Sequence, residues 1–236
     1  MTNDVRSILQ HNLDAVRGRI GAACARCGRN ANEILLVAVT KYVRPEIARA
    51  LYELGVHDLA ESRPQELWKK AEAVTDARWH LVGHLQTNKV RRTLPLVLLV
   101  HSIDRWELAE EISREAVKQN REVRGLIEVK LTQEATKHGF DADELRSRWN
   151  DLRSLPGLTI DGLMGMAALD ADDTGVRRAF RILRDLRDGL RPPDDPLPIL
   201  SMGMSDDFEI AIEEGATHIR IGSALFEGLS EEVLAR

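Results

Sequence analysis

LLVAVTKYV, residues 35–43, is five apolar residues, a threonine and then a lysine. A run this short that is apolar at every position reads as a strand covered on both faces, the pattern of a parallel sheet flanked by helices. Seven further short runs, rich in apolar residues, read as strands: VHDLA, WHLVG, LVLLVHSI, RGLIEVKL, LTIDGLMGM, LPILSMG and THIRIG. Between them lie segments of helical periodicity, among them RPEIARALYELG, RWELAEEISREAVKQN and TGVRRAFRILRDLRDGL. Eight β-then-α alternations fit a closed (β/α)8 TIM barrel better than an open sheet, which usually has fewer strands. Ile8, Leu9, Leu13, Val16 and Ile20 recur at helical spacing ahead of the first strand. The expectation is one α/β domain over residues 1–236, with an extra helix within 1–30 and the barrel over 34–228.

The whole-chain properties narrow the function. At 236 residues, 43% apolar and 30% charged, the chain is ordinary for a globular domain. A net charge of −5 gives no electrostatic reason for a nucleic-acid or acidic-membrane partner. No apolar run approaches the roughly 20 residues that span a bilayer, and MTNDVRSILQ lacks the apolar stretch of a signal peptide, so a cytoplasmic protein is expected. Cys24 and Cys27 form a C-x-x-C inside the N-terminal helix with no second pair. Two thiolates leave zinc unsaturated, so no metal is assigned. RPPDDPLP, Arg191 to Pro198, reads as a surface connector.

In such barrels the chemistry sits at the C-terminal ends of the strands, and phosphate is commonly held after the last two. Lys41 closes the first strand, and alternation places it on the face of Leu35, Val37 and Val39. If that face lines the barrel, the amine enters the mouth, where desolvation favours its neutral, nucleophilic form for a Schiff base. The competing reading is a lysine reaching solvent along its alkyl stem. SMGMSDD (Ser201–Asp207) and RIGSA (Arg220–Ala224) follow the last two strands and suit a backbone-amide phosphate cradle. Ser205 also reads as an N-cap, with Asp206 and Asp207 turned away from any phosphate. Arg220 shares the face of Gly222 and can only donate. Amine, cradle and donor together suit pyridoxal 5′-phosphate, the aldehyde at Lys41 and the pyridine nitrogen at Arg220.

VAVTKYV, WHLVGHLQTNKVR, HSIDR, GLMGM and LSMGMSDDFEIAIEEGATHIRIGSALFEG together closely resemble the pyridoxal phosphate homeostasis protein family, from about Ile34 to Gly228. The resemblance implies a barrel like the alanine racemase N-terminal domain, with the cofactor as a Schiff base on Lys41. It implies no catalytic residue, and intracellular buffering or delivery of the cofactor, with pyridoxal-phosphate-dependent apoenzymes as recipients and a monomer as carrier. It also assigns Ser201, Met202, Gly222 and Ser223 to the phosphate and Arg220 to the ring nitrogen. His80 and LQTNK match a hallmark whose role the residues do not give. Ser62 stands where the family has an asparagine that meets the cofactor, His84 where proline is usual, and Lys130 where asparagine is common. Lys137 matches a familiar lysine.

Two enzymatic readings compete. An amino-acid racemase needs bases on both faces of its substrate. Of the two tyrosines, Tyr42 is expected to point away from Lys41 and Tyr52 lies on a helix, and no room follows Gly228 for a second domain. A Schiff-base aldolase for a sugar phosphate would use the same lysine and cradle, and would leave Lys41 unmodified by pyridoxal phosphate.

Overall fold

Eight parallel strands close on themselves in chain order, each paired with its neighbours in sequence and the first with the last. They are β1 (Leu35–Val39), β2 (Asp58–Glu61), β3 (Arg78–Leu81), β4 (Leu99–Ile103), β5 (Val123–Val129), β6 (Leu158–Gly165), β7 (Ile199–Ser201) and β8 (His218–Ile221). The computed structural model describes residues 3–131, 138–191 and 197–234. Lys137 and most of the Arg191–Pro198 connector lie outside them. The helices are α1 (Asn3–Cys27), α2 (Pro45–Glu53), α3 (Pro64–Ala73), α4 (Thr87–Thr93), α5 (Trp106–Lys118), α6 (Ala142–Arg153), α7 (Asp173–Leu190), α8 (Phe208–Glu213), α9 (Ser223–Phe226) and α10 (Glu231–Leu234). None of the described helices is long and apolar enough to cross a membrane.

Alternation along each strand divides the side chains. Ala38, Leu59, Leu81, Val100, Ile127, Leu163, Leu200 and Ile219 face the helices and join the large apolar core. Val37, Val39 and Ala60 form a small interior cluster, and Leu99, Leu126, Met164 and Ile199 form another. Buried among these interior positions are Asp58, His80, His101, Ser201 and Arg220, so much of the barrel's inside is polar. Strands start later than the sequence suggests where proline intervenes. Pro95 diverts Leu94–Leu96 into a 3₁₀ turn, and β4 begins at Leu99 rather than Leu96.

The extra helix is part of the barrel wall. Leu9 and Leu13 on α1 are fully buried, each contributing about 2 kcal/mol by removal from water. Asn12 donates to the carbonyls of Leu225 and Glu227 at 3.1 and 2.8 Å, and Arg29 to those of Ile212 and Ala216 at 2.9 and 2.7 Å. α1 thus fills the wall where α8 and α9 are short.

Gly162 fixes how closely β6 and β7 approach. It pairs with Ile199, and a methyl group on it would overlap the Ile199 carbonyl oxygen. Backbone cannot yield as a flexible side chain does, so Gly162→Ala should lower stability by about 3 kcal/mol in urea unfolding. A variant within about 0.5 kcal/mol of the parent would show that the β6–β7 contact is looser than described.

Candidate functional site

Strand β1 ends at Val39, and the next residues turn at the C-terminal rim. That turn is held from beneath. The Lys70 ammonium on α3 donates to the Thr40 carbonyl at 2.6 Å and pairs with Glu61, which also accepts from the Thr40 hydroxyl at 2.7 Å. Lys70 and Glu61 are almost wholly buried, so separating them would strand a charge in apolar surroundings, at a cost of about 3–5 kcal/mol. The residue before Lys41 is therefore fixed, while the Lys41 side chain is exposed. Among the described residues no carboxylate lies within ion-pair distance of its amine, which sits 4.7 Å from the centre of the Tyr42 ring. Beyond Val39 the chain is in a turn, where strand alternation no longer applies, and one expectation is corrected: Tyr42 lies under the amine rather than opposite it.

Beneath the rim runs a buried chain of polar groups. Arg78 and His80 both bond Asp58, His80 Nδ1 lies 2.9 Å from His101 Nε2, and His101 Nδ1 lies 2.8 Å from the Ser201 hydroxyl. Arg220 then donates to Ser201 at 2.7 Å and to the Gly165 carbonyl at 3.1 Å. Burial pushes His101 well below the ordinary histidine range, with further lowering from His80 and Arg220, so it is neutral. The Asp58 carboxylate only accepts, so His80 donates to it from Nε2, and Arg220 only donates, so the Ser201 hydroxyl oxygen accepts from it.

Arg220 is the charge this chain supports. Burial pushes its guanidinium down to about 10, opposed by Glu128 and Asp207, so it remains a cation at neutral pH. Among the described residues no carboxylate is within ion-pair distance of it. Glu128, at the end of β5, is raised to about 7 by burial and by Asp104, against the pull of Arg220. Arg220 therefore lies in the barrel as a donor with no anionic partner bonded to it.

The last two loops are less open than the sequence suggests. The Met202 side chain is in the outer core and its amide donates to the His218 carbonyl at 3.1 Å, while Ser201 is fully buried in the polar chain. Gly203 has φ +93, and a Cβ there would press on Phe208 and Ala211, so this glycine closes the loop onto α8. Asp207, not Ser205, precedes α8, and its carboxylate accepts from the Met204 amide at 2.6 Å. Ser205 instead accepts from the Ala224 amide at 3.3 Å, tying the loop after β7 to the loop after β8. Gly222 is partly exposed and Ser223 exposed at the rim. Since β8 pairs with β1, they stand next to the Lys41 turn rather than across the barrel from it, and a Cβ on Gly222 would lie 3.4 Å from the Val39 carbonyl.

Ser62 follows β2 on the same rim, its backbone packed so closely on Gly83 that a side chain there would collide with it. His80 has both ring nitrogens engaged in the interior. The structure thus gathers Lys41, Ser62, Gly222 and Ser223 at the mouth and sets His80, Ser201 and Arg220 beneath. Sequence reasoning assigned no role to Asp58, His101 or Glu128. The one available signal was their inward parity on β2, β4 and β5.

The alanine racemase N-terminal domain family matches residues 8–230 of this chain. The pyridoxal phosphate homeostasis protein of Aquifex aeolicus is 45% identical over 217 residues, 91% of this chain and 95% of that one. This chain belongs to the pyridoxal phosphate homeostasis protein family. PipY of Synechococcus elongatus, solved with PLP bound, is 31% identical with a TM-score of 0.81, over 92% of this chain and 99% of that one. Alanine racemase of Corynebacterium glutamicum shares the fold at 14% identity and a TM-score of 0.76, over 96% of this chain and 64% of that one. The α/β barrel expected from the sequence is the barrel of this family, with α1 added at its N-terminal end.

The polar chain has a pH signature. Burial alone would raise Asp58, but hydrogen bonds from His80 and Arg78 outweigh it and lower the carboxyl from 3.8 to about 2. A depressed carboxyl adds stability that is present above its unfolded value and lost as pH falls through its folded one, here about 2 kcal/mol. Unfolding in urea between about pH 4 and pH 2 should show this loss in the parent and a flatter slope in Asp58→Asn. Equal slopes would mean that Asp58 is not the group holding His80.

Proposed function

We propose that this protein holds pyridoxal 5′-phosphate as a Schiff base on Lys41 and serves intracellular cofactor homeostasis without catalysing a reaction of its own. The observation that carries this reading is the pairing of a buried Arg220, without an ion pair among the described residues, with the exposed amine of Lys41 in the turn after the adjacent strand. The donor set fits the cofactor: an amine for its aldehyde, rim hydroxyl and glycine positions for its phosphate, and a guanidinium for its ring nitrogen. Lys41, Gly222 and Ser223 would contact it from the rim, with Ser62 beside them. His80, Ser201 and Met202 would act from below, Ser201 by holding Arg220 and Met202 by setting the loop after β7.

When bound, the cofactor supplies an electrophilic carbon and a ring that can accept electron density. The residues limit how far that goes. Arg220 stays protonated and can only donate, so it does not supply the proton that a carboxylate would share with the ring nitrogen, and the ring is the weaker electron sink. Proton transfer at a substrate carbon also needs bases on two faces. Tyr42 is half exposed beneath Lys41, and Tyr52 on α2 packs edge-on against His57 at 4.9 Å. That favours carriage over racemization. The reading includes a monomeric, cytoplasmic carrier built on residues 34–228 with the helix of 1–30, and apoenzymes that need the cofactor as its recipients.

Borohydride reduction after addition of pyridoxal phosphate, followed by peptide mass spectrometry, tests the assignment. The pyridoxyl group should be found on Lys41, and Lys41→Ala should lose the visible absorption band of the loaded protein. Lys130, whose ammonium lies 3.6 Å from Asp141, should stay largely unmodified. A label mainly on Lys130, or an unmodified Lys41 as the aldolase reading requires, would overturn the proposal.

A further inference from the structure

A second cluster stands on the same rim, on the loops that follow β3, β4 and β5. His84 Nδ1 lies 2.7 Å from Asp104 Oδ2, and His138 Nδ1 lies 3.6 Å from the same oxygen. The three ligand atoms all lie within 4.8 Å of one another. The two imidazoles stack at 4.4 Å between centroids, 28° from parallel. A single histidine–carboxylate ion pair accounts for one ring. It gives no reason for a second to converge on the same oxygen.

Each of the three stands on pinned backbone. The Ser102 hydroxyl holds the Gly83 carbonyl at 2.6 Å and Arg105 holds the Leu85 carbonyl at 3.1 Å, so the chain is anchored on both sides of His84. Arg105 also bonds Asp104 Oδ1, which orients the buried carboxylate and leaves Oδ2 facing the two rings. Just after His138, Gly139 adopts φ +119, where a Cβ would press on the Glu128 carbonyl and the Lys130 amide. Phe140 then bonds to β5, its amide to the Glu128 carbonyl at 2.8 Å and its carbonyl to the Lys130 amide at 3.0 Å. Ligands on fixed backbone are what a preorganised ion site requires.

We infer that His84, Asp104 and His138 form a zinc(II) site with one coordination position open to the barrel mouth. Two imidazoles and a carboxylate suit zinc, whereas magnesium and calcium favour all-oxygen sets and copper(I) favours sulfur. Zinc bonds of about 2.0–2.1 Å in tetrahedral geometry place ligand atoms ~3.3 Å apart. The observed 2.7 and 3.6 Å from the Asp104 oxygen bracket that spacing, and the two imidazole nitrogens lie within 4.8 Å of each other. Asp104 is 1% exposed, while His84 and His138 are 37% and 61% exposed, so the fourth position faces solvent. Three protein ligands and a water is the arrangement of an open zinc site, able to take an anionic oxygen or nitrogen donor. The site stands independently of the cofactor reading, since neither Lys41 nor Arg220 takes part.

The test uses the full chain, stripped with a chelator, dialysed and titrated with zinc(II) by calorimetry, without pyridoxal phosphate. One ion per chain should bind, and cobalt(II) in its place should give the intense visible absorption of a four-coordinate ion. His138→Ala and His84→Ala should each weaken zinc binding more than about 100-fold, since loss of supporting partners alone costs 10–100-fold. His138 is the more exposed, so its variant should keep the parent's far-ultraviolet circular dichroism in chelator. Cys24→Ser with Cys27→Ser should leave binding unchanged. Failure to bind one zinc per chain, a weak six-coordinate cobalt spectrum, or binding lost with the cysteines and kept without the histidines would overturn the assignment.

Discussion

A guanidinium inside a barrel dictates much of the architecture. Removing Arg220 from water costs several kcal/mol even after relaxation, and among the described residues no carboxylate bonded to it offsets that cost. What holds it is a hydroxyl and a carbonyl, Ser201 and Gly165, with Glu128 and Asp207 acting from farther away. Ser201 also meets His101, which meets His80, which in turn donates to Asp58, so the group that holds Arg220 is itself held by a chain of bonds ending on a carboxylate of β2, next to Arg78. The apolar clusters around this chain keep its bonds in low dielectric, where each is stronger and each missing partner is more costly.

The mouth is built on a different economy of forces. Lys41 stays hydrated on an otherwise rigid turn, whose rigidity comes from the Lys70–Glu61 pair beneath it. One lysine is buried and structural while its neighbour in space is exposed and unpaired. The difference is set by a partner carboxylate, not by residue type. Such a division leaves an amine available for chemistry without letting its backbone wander.

The eight strands were readable as short runs rich in apolar residues between helix-periodic segments, since their outer faces must be covered by helices. The position of Lys41, Gly222 and Ser223 at the rim was readable because strand order in a (β/α)8 barrel puts the strand ends at one pole. What the chain did not disclose depends on register and closure. Barrel closure makes β8 the neighbour of β1, so amine and glycine loop adjoin rather than face each other. Asp58, His80, His101 and Ser201 come from four strands, and only the stagger between strands decides that they meet. Ser205 looked like a helix cap, yet the helix begins three residues later and the hydroxyl serves the next loop. His84 and His138 flank Asp104 only because three loops converge, a fact without local trace in the sequence.

The attachment of α1 has a consequence for biosynthesis. Asn12 finds its acceptors at Leu225 and Glu227, and β1 completes its hydrogen bonding only on β8. The segment ahead of the barrel therefore finds its partners 213 and 215 residues later, just after the eighth strand. Contacts this distant along the chain slow folding, so the apolar face of α1, with Leu9, Leu13, Val16 and Ile20, stays uncovered until β8 and the helix after it have been made.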